Sequence, residues 1–322
     1  HLAELLLAQG HIVGCYDGMT DYYDVRLKQR RHAMLNQHEG FSATEAMLED
    51  HEQLHTVITS FQPDVIVHLA AQAGVRYSID NPRAYLDANI VGTFNVMETA
   101  RAVGVQHLLM ASTSSVYGAN THMPFTETER VATPLTFYAA SKLANEVMGH
   151  SYAHIYNLPV TMFRFFTVYG PWGRPDMALF KFTKGIIDGT PIDIYNNGDM
   201  WRDFTYVEDL VRGIAGLIEA TPQRPENSED ITPGDSLSPA APFRVVNIGN
   251  SDKVRLMDFV DAIEAEIGKK AIRNYMPMQQ GDVPATWADA SLLQSLTGYC
   301  PETPFREGVA RFVRWYRDYY AC

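Results

Sequence analysis

The amino-acid sequence predicts an α/β fold with a doubly wound parallel sheet and a smaller C-terminal lobe. Three observations support this prediction: strand patterns alternate with helical patterns, the strand patterns are continuous apolar runs, and the alternation weakens after Gly170. The chain has 322 residues, of which 46% are hydrophobic, so it can build one large unit and a second lobe. We therefore expect one principal domain over residues 1–170 and a second lobe over residues 171–322.

The elements of the first 170 residues follow a regular order. Leucines at helical spacing open the chain, and Gly10 ends that helix before an apolar strand. The predicted strands are residues 12–17, 64–69, 107–111 and 160–165. The predicted helices between them are residues 51–61, 84–103 and 138–156. In a doubly wound sheet the opening helix follows a strand and a glycine-rich turn, so we expect that pair, about fifteen residues, to precede His1.

The second lobe has a less regular pattern. Helices are predicted over residues 178–189 and 256–268, among short extended pieces. Extended segments near residues 204–207 and 245–249 are candidates for a return to the main sheet. Residues 221–242 hold five prolines and few large apolar side chains, so we expect a mobile surface loop there.

Charge and cysteine content exclude several classes of function. Lys plus Arg is 26 and Asp plus Glu is 38, which gives a net charge of −12. Such a protein repels phosphate polymers and anionic lipids, so neither nucleic acid nor a membrane is an expected partner. Cys15, Cys300 and Cys322 lack the spacing of metal ligands. We expect three reduced thiols, no metal site and a cytoplasmic location.

The strongest chemical signal is Tyr138 followed four residues later by Lys142, because this spacing places both side chains on one helical face. A nearby ammonium favours the phenolate and lowers the pKa of a tyrosine, which then can remove a hydroxyl proton. Thr113, at the end of a predicted strand, supplies a hydroxyl for the same substrate oxygen. Taken alone, Tyr138 and Lys142 are better explained as an exposed helix pair. The hydroxyl-rich segment 113–118 and the parallel-strand setting reverse that preference in favour of the catalytic interpretation.

These motifs lie among others that cover nearly the whole chain in one order. The segments are 17–24, 68–78, 113–118, 138–142, 165–171, 202–209 and 281–286. Together they resemble the extended short-chain dehydrogenase/reductases of the NAD-dependent nucleotide-sugar epimerase/dehydratase group, and most closely the UDP-glucuronate 4-epimerases. The resemblance implies a Rossmann-type fold, NAD as cofactor, a UDP-sugar as substrate, and Thr113, Tyr138 and Lys142 as catalytic residues that also contact NAD.

The same resemblance assigns cofactor contacts. A carboxylate at the end of the second strand of such a fold binds the adenosine ribose and repels a 2′-phosphate, so Asp17 favours NAD over NADP. The remaining implied cofactor contacts are Leu69, Ala70, Ala71, Gln72, Asn89 and Phe166. Without the resemblance, Asp17 is explained as a loop-starting residue, Asn89 as an ordinary polar helix residue and Phe166 as core.

Substrate contacts are implied by the same motifs. Arginine suits the bidentate binding of phosphate, and Arg174 and Arg202 match positions near the UDP moiety. Asp282 belongs to the same substrate set. Arg76 resembles part of a uronate signature, and the hydroxyls that would join it at the sugar carboxylate are Ser114, Ser115 and Thr167.

The hydroxyl-rich turn also distinguishes between reactions of the group. Related dehydratases place an Asp-Glu pair where this chain has Ser114 and Ser115, so chemistry at C5 and C6 lacks its acid and base. Reversible oxidation at C4 remains, and it yields a 4-keto sugar and an inverted C4. The alternatives are a UDP-glucose or UDP-N-acetylglucosamine 4-epimerase and, from another class, a non-catalytic NAD-binding sensor. We expect a homodimer, because helices 84–103 and 138–156 resemble the pair that forms a four-helix interface in this group.

Overall fold

A four-stranded parallel sheet organises the structure, a computed structural model that describes residues 1–322. The strands are β1 (Val13–Asp17), β2 (Phe41–Glu45), β3 (Val65–His68), β4 (His107–Thr113), β5 (Val160–Phe165), β6 (Thr167–Tyr169), β7 (Ile192–Ile194), β8 (Trp201–Tyr206), β9 (Phe243–Ile248), β10 (Lys253–Arg255), β11 (Arg273–Tyr275) and β12 (Ala285–Thr286). The main sheet has the order β3-β4-β5-β9, and β4 and β9 are buried along their whole length. Strands β1 and β2 pair with each other in a separate parallel sheet.

Helices cover both faces of the main sheet and form the second lobe. They are α1 (Leu2–Ala8), α2 (Val25–Leu35), α3 (His51–Phe61), α4 (Tyr77–Asp80), α5 (Pro82–Tyr85), α6 (Thr93–Val103), α7 (Phe137–Tyr156), α8 (Ala178–Asp188), α9 (Val207–Glu219), α10 (Leu256–Ile267), α11 (Ser291–Thr297) and α12 (Phe305–Tyr320). One core, which includes Val96, Met97 and Ala153, packs α3, α6 and α7 on the sheet. The opposite core, which includes Ile214 and Leu293, packs α1, α9 and α11. None of these helices has both the length and the apolar character that crossing a membrane requires.

The helix predicted over residues 84–103 is interrupted. A π-helical segment, Leu86–Gly92, joins α5 to α6, so the helical run changes phase before Thr93. Asn81 caps α5 through its side chain, and Pro82 occupies the first turn, where its missing N–H costs nothing. π turns are rare and are frequently found at functional sites, and this one lies against the N-terminal half of α7.

The two candidate strands of the second lobe end in different sheets. Strand β9 pairs with β5 in the main sheet, as expected for residues 245–249. The expectation for residues 204–207 was wrong, because β8 pairs with β6, β10 and β12 instead. The reason is a crossover at Phe166: the chain leaves the main sheet after β5 and continues directly as β6, which then offers its edge to β8.

Residues 221–242 form a surface segment with one short 3₁₀ turn, Ser228–Asp230, but its second half is not a mobile loop. Asp235 accepts a hydrogen bond from Arg244 on β9 over 2.9 Å, and the Ser236 hydroxyl accepts one from the Val245 backbone N–H over 3.1 Å. Ser238 and Ala241 are buried. The prolines prevent regular structure, yet side-chain hydrogen bonds fix this part of the segment on the outer strand of the sheet.

Candidate active site

The N-terminal end of helix α7 carries Tyr138 and Lys142, the two central residues of the site. Thr136 caps the helix, since its hydroxyl accepts a hydrogen bond from the Ala139 N–H over 3.3 Å, and Tyr138 and Lys142 lie in the first two turns. Lys142 is buried, and its ammonium donates to the carbonyl of Ala111 on β4 over 2.9 Å. Burial lowers the pKa of Lys142 to about 8. The helix therefore places a titratable amine against the carboxyl end of β4.

The environment of Tyr138 differs from the one expected. Burial raises the pKa of its phenol, while a hydrogen bond with Thr113 and the charge of Arg174 lower it. The Lys142 ammonium, which the sequence placed beside this phenol, donates to the Ala111 carbonyl. Arg174 is the cation that favours the phenolate.

The hydroxyl-rich turn begins where β4 ends. Thr113 is buried, and its hydroxyl accepts a hydrogen bond from the Ser115 backbone N–H over 3.2 Å, so it caps the 3₁₀ turn Ser114–Tyr117. The same Thr113 hydroxyl donates to the Ser115 side chain over 3.2 Å. Ser114 and Ser115 are half-buried. The structure thus brings the Thr113 and Ser115 hydroxyls together, and Thr113 also interacts with Tyr138.

The turn after β3 is held open by Asn89, which lies in the π segment. Asn89 accepts a hydrogen bond from the Gln72 N–H over 2.8 Å and donates to the Gln72 carbonyl over 3.1 Å. This clamps both backbone groups of Gln72 and keeps the preceding residues, Ala70 and Ala71, half-buried with small side chains. Leu69 is largely exposed. The arrangement leaves backbone accessible at the end of β3, as a closely approaching ligand requires.

Two tyrosines that the sequence did not indicate support the same turn. Tyr85, fully buried, donates hydrogen bonds to the carbonyls of Ala73 and Gly74, and its ring lies edge-on to Tyr138 at 6.0 Å between centroids. Gly74 has a φ of +104°, and a Cβ there would lie 2.8 Å from the Tyr22 hydroxyl. Tyr22 and Tyr85 do not stand at a helical or strand spacing from this turn, so the sequence gives no signal for their contacts. Only Gly74 indicates a tight turn in the sequence.

Arg174 lies on the loop after β6, which two contacts join to the first domain. Tyr22 donates to Asp176 over 3.4 Å, and Arg31 donates to the Trp172 carbonyl over 2.9 Å. The Arg174 guanidinium pairs with Asp176 at 3.5 Å. The loop therefore fixes Arg174, whose charge acts on Tyr138.

Arg202, Asp282 and Arg76 form a second cluster. Arg202 on β8 donates to Asp282 over 2.8 Å and to the Val283 carbonyl over 2.8 Å. Arg76 lies 3.8 Å from the same carboxylate and 4.7 Å over the ring of Tyr195. The expected grouping of Arg76 with the serines is not observed, because Asp282 and Tyr195 take up its guanidinium.

The remaining predicted residues lie apart from one another. Asp17 ends β1 in an exposed position and accepts a hydrogen bond from the Met19 N–H over 2.7 Å, so one carboxylate oxygen remains open. Thr167 begins β6 and is half-buried. Phe166 packs with Tyr117 and Phe125 in a small core cluster, which agrees with the packing explanation for that residue.

Comparison with known proteins agrees with this geometry. The family model described as GDP-mannose 4,6 dehydratase matches residues 1–312. The probable UDP-glucuronate 4-epimerase of Rhizobium meliloti (strain 1021) is 55% identical over 320 residues, which cover 99% of this chain and 94% of that protein. The chain therefore belongs to the family of the GDP-mannose 4,6 dehydratase model. UDP-glucuronate 4-epimerase 1 of Arabidopsis thaliana is 41% identical over 325 residues, which cover 99% of this chain and 74% of that protein.

Solved structures show the same fold. The UDP-glucuronic acid 4-epimerase from Bacillus cereus, in complex with UDP-glucuronic acid and NAD, matches with a TM-score of 0.87 and 28% identity. The match covers 99% of this chain and 96% of that chain. The Rossmann-like α/β fold expected from the sequence is confirmed.

The residues present fit the nicotinamide cofactor of the family. The open carboxylate of Asp17 suits a ribose diol, and the small residues Ala70 and Ala71 allow a ligand to approach the backbone at the end of β3. The Lys142 ammonium has three donors and uses one of them on Ala111, which leaves two for ribose hydroxyls. These residues fit NAD, the cofactor that the Bacillus cereus structure contains.

Lys142 predicts a pH dependence of NAD binding. Because the pKa of Lys142 is lowered to about 8, the ammonium is present below that pH and is lost above it. We expect the Kd for NAD to rise about tenfold between pH 7 and pH 9.5, measured by titration calorimetry, since a charged donor is worth about 1.5–3 kcal/mol. Lys142→Met should bind weakly at both pH values, whereas the surface variant Lys184→Met should follow the parent. An unchanged Kd in the parent would contradict the contact.

Proposed function

We propose that the protein catalyses the NAD-dependent interconversion of UDP-glucuronate and UDP-galacturonate by epimerisation at C4. One observation carries the proposal: the half-buried Tyr138 side chain meets the Thr113 hydroxyl and the Arg174 charge beside a turn that bears serines. A base and a cation at one place suit removal of the O4 proton from a sugar whose next ring carbon bears a carboxylate. The turn offers no acid or base for elimination at C5 and C6.

Each residue has a role that follows from its surroundings. Tyr138 takes the proton of the O4 hydroxyl, and its side-chain contact with Thr113 lowers the pKa of the phenol. Lys142 holds the nicotinamide ribose, and Asp17 holds the adenosine ribose. Bound NAD supplies reversible hydride transfer at C4. For C4 to invert, the 4-keto sugar has to turn between the two transfers while Arg202 retains the diphosphate.

Tyr138→Phe tests the base. The variant keeps the ring, so we expect NAD affinity within about twofold of the parent, and a loss of epimerisation of about 10³-fold or more because the proton acceptor is absent. Conversion of UDP-glucuronate is followed by chromatography. Tyr152→Phe is the matched control, since it removes a hydroxyl that contacts Glu98 at the far end of α7. Turnover near the parental rate in Tyr138→Phe would remove this residue from the mechanism.

Arg174 is the better candidate for the uronate carboxylate. Its charge acts on Tyr138, and the carboxylate at C5 is adjacent to the C4 hydroxyl that Tyr138 contacts. Arg76, the residue that the sequence favoured, is engaged with Asp282 and Tyr195. We therefore place Arg174 with Ser114, Ser115 and Thr167 at the carboxylate.

Two arginine variants distinguish these assignments. We expect the parent to prefer UDP-glucuronate over UDP-glucose by a ratio of kcat/KM on the order of 10⁴, because a desolvated carboxylate needs a charged partner. Arg174→Leu should lower this ratio by about 10²-fold, and Arg76→Leu should leave it within about threefold while weakening both substrates. The reverse result would return the role to Arg76. A parent that prefers UDP-glucose indicates a neutral-sugar epimerase, and one that binds NAD without turnover indicates a sensor.

We also propose a homodimer. The π segment, α6 and α7 pack side by side and expose apolar side chains along one surface. These are Leu86, Val91, Phe94, Phe137, Val147 and Ile155, with Val147 and Ile155 each 65% exposed. A patch of this kind on a helix pair suits an isologous contact with a second copy, which would bury the patch in a four-helix arrangement.

Charge placed in the patch tests the dimer. Phe94→Glu combined with Val147→Glu should convert a dimer into a monomer in sedimentation velocity at about 10 μM protein, because carboxylates are costly to bury in an apolar interface. Ile272→Glu changes an equally exposed apolar residue elsewhere and should leave the dimer intact. A monomeric parent at this concentration would contradict the proposal.

The cysteines support a reducing compartment. Cys15, Cys300 and Cys322 are all unpaired, and burial raises the pKa of the Cys15 thiol to about 11, which keeps it protonated. Free thiols are typical of cytoplasmic proteins. We propose the cytoplasm as the location.

A further inference from the structure

Two successive sets of side-chain hydrogen bonds, here called rungs, join helix α7 to the π segment and to α6. Asn89 donates to the Ser141 hydroxyl over 3.0 Å, and Asn145 donates to the Thr93 hydroxyl over 3.3 Å. Asn89 and Thr93 are four residues apart, as are Ser141 and Asn145, so each pair lies on one face of its own helical stretch. The rungs therefore tie α7 to the π segment and to α6 at two successive turns.

Both rungs extend to the end of strand β3, again through residues four apart. Asn89 clamps the backbone of Gln72 at 2.8 and 3.1 Å, and the Thr93 hydroxyl lies 2.9 Å from Nε2 of His68. The first rung is thus Gln72–Asn89–Ser141, and the second rung is His68–Thr93–Asn145. The first rung contains Gln72 and Asn89, which the family resemblance assigns to the cofactor. The second rung contains no residue assigned to the reaction.

The second rung is buried. Thr93 is fully buried, and Asn145 and His68 are 1% and 6% exposed. Buried polar groups require partners, so a rotation of α7 that separated Asn145 from Thr93 would leave a donor unsatisfied. The Thr93 hydroxyl accepts from Asn145 and has its own proton to donate to His68. One hydroxyl therefore connects the helix, its neighbour and the sheet.

The second rung adjoins Lys142. Asn145 lies three residues after Lys142 on α7, and burial, together with the Lys142 charge, lowers the pKa of His68 to about 3. His68 is consequently neutral and accepts a hydrogen bond without adding a second positive charge beside the ammonium.

We propose that Thr93, with Asn145 and His68, is a positioning residue that holds the rotation of α7 and so keeps Tyr138 and Lys142 directed at their partners. This inference rests on the proposed function for its kinetic consequence. Its structural consequence, the fixed rotation of α7, is independent of the substrate.

Thr93→Val tests the rung, because it removes the hydroxyl and keeps the side-chain shape. We expect kcat for UDP-glucuronate to fall about tenfold with KM within about twofold, and amide hydrogen exchange over residues 139–146 of the NAD-bound enzyme to accelerate about tenfold. Thr93→Ser retains the hydroxyl and should restore both values. Thr99→Val is the matched control: Thr99 is fully buried on the same helix, its hydroxyl has no hydrogen-bond partner, and neither value should change.

The two readouts separate the possible failures. Faster exchange with an unchanged kcat, or a lower kcat with unchanged exchange, would overturn the positioning role. Equal effects in Thr93→Val and Thr99→Val would reduce it to general packing and overturn it as well. If the parent does not convert UDP-glucuronate, the proposed function fails, while the exchange measurement still decides whether the rung fixes α7.

Discussion

The buried ion pair between Glu146 and Arg164 is the constraint on which the site depends. Arg164 on β5 donates to both carboxylate oxygens of Glu146 on α7, over 2.9 and 2.8 Å, and Ser112 on β4 adds a third donor at 2.5 Å. Removing one partner would leave a charge buried and unpaired, which costs about 3–5 kcal/mol. The Arg164 guanidinium also lies 4.7 Å over the ring of Tyr117, in the serine-bearing turn. This ion pair thus fixes helix α7 and the 3₁₀ turn Ser114–Tyr117 to strands β4 and β5.

A second buried carboxylate joins the two lobes. Asp203 on β8 accepts hydrogen bonds from the backbone N–H groups of Asn250, Ser251 and Ala288, over 2.8 to 3.2 Å. Burial raises the pKa of Asp203 to about 6, and these donors oppose the rise. The neighbouring residue on the strand is Arg202, whose guanidinium binds Asp282. The carboxylate therefore locks β8, and with it the arginine proposed for the diphosphate, to the segment that follows the main sheet.

Local charge at the site opposes the charge of the whole chain. The net charge is −12, yet three arginines surround the proposed substrate region, and Arg202 is half-buried. The overall charge concerns long-range partners, whereas anion binding depends on the few cations within contact distance. Asp282 and Asp176 each pair with these arginines, which offsets part of the cost of placing cations together.

Much of the fold was predictable from the sequence, because strand and helix patterns depend on residues close together in the chain. The helix over residues 51–61 and the strand over residues 160–165 have the predicted bounds, and the pairing of Tyr138 with Lys142 follows from helical geometry. The tertiary structure alone decided that Arg174 rather than Arg76 lies near Tyr138, that β5 continues into the second sheet at Phe166, and that Thr93 meets His68 and Asn145. Such contacts join residues 25 to 52 positions apart or depend on a change of strand direction. No local periodicity encodes the partner of a side chain across that distance.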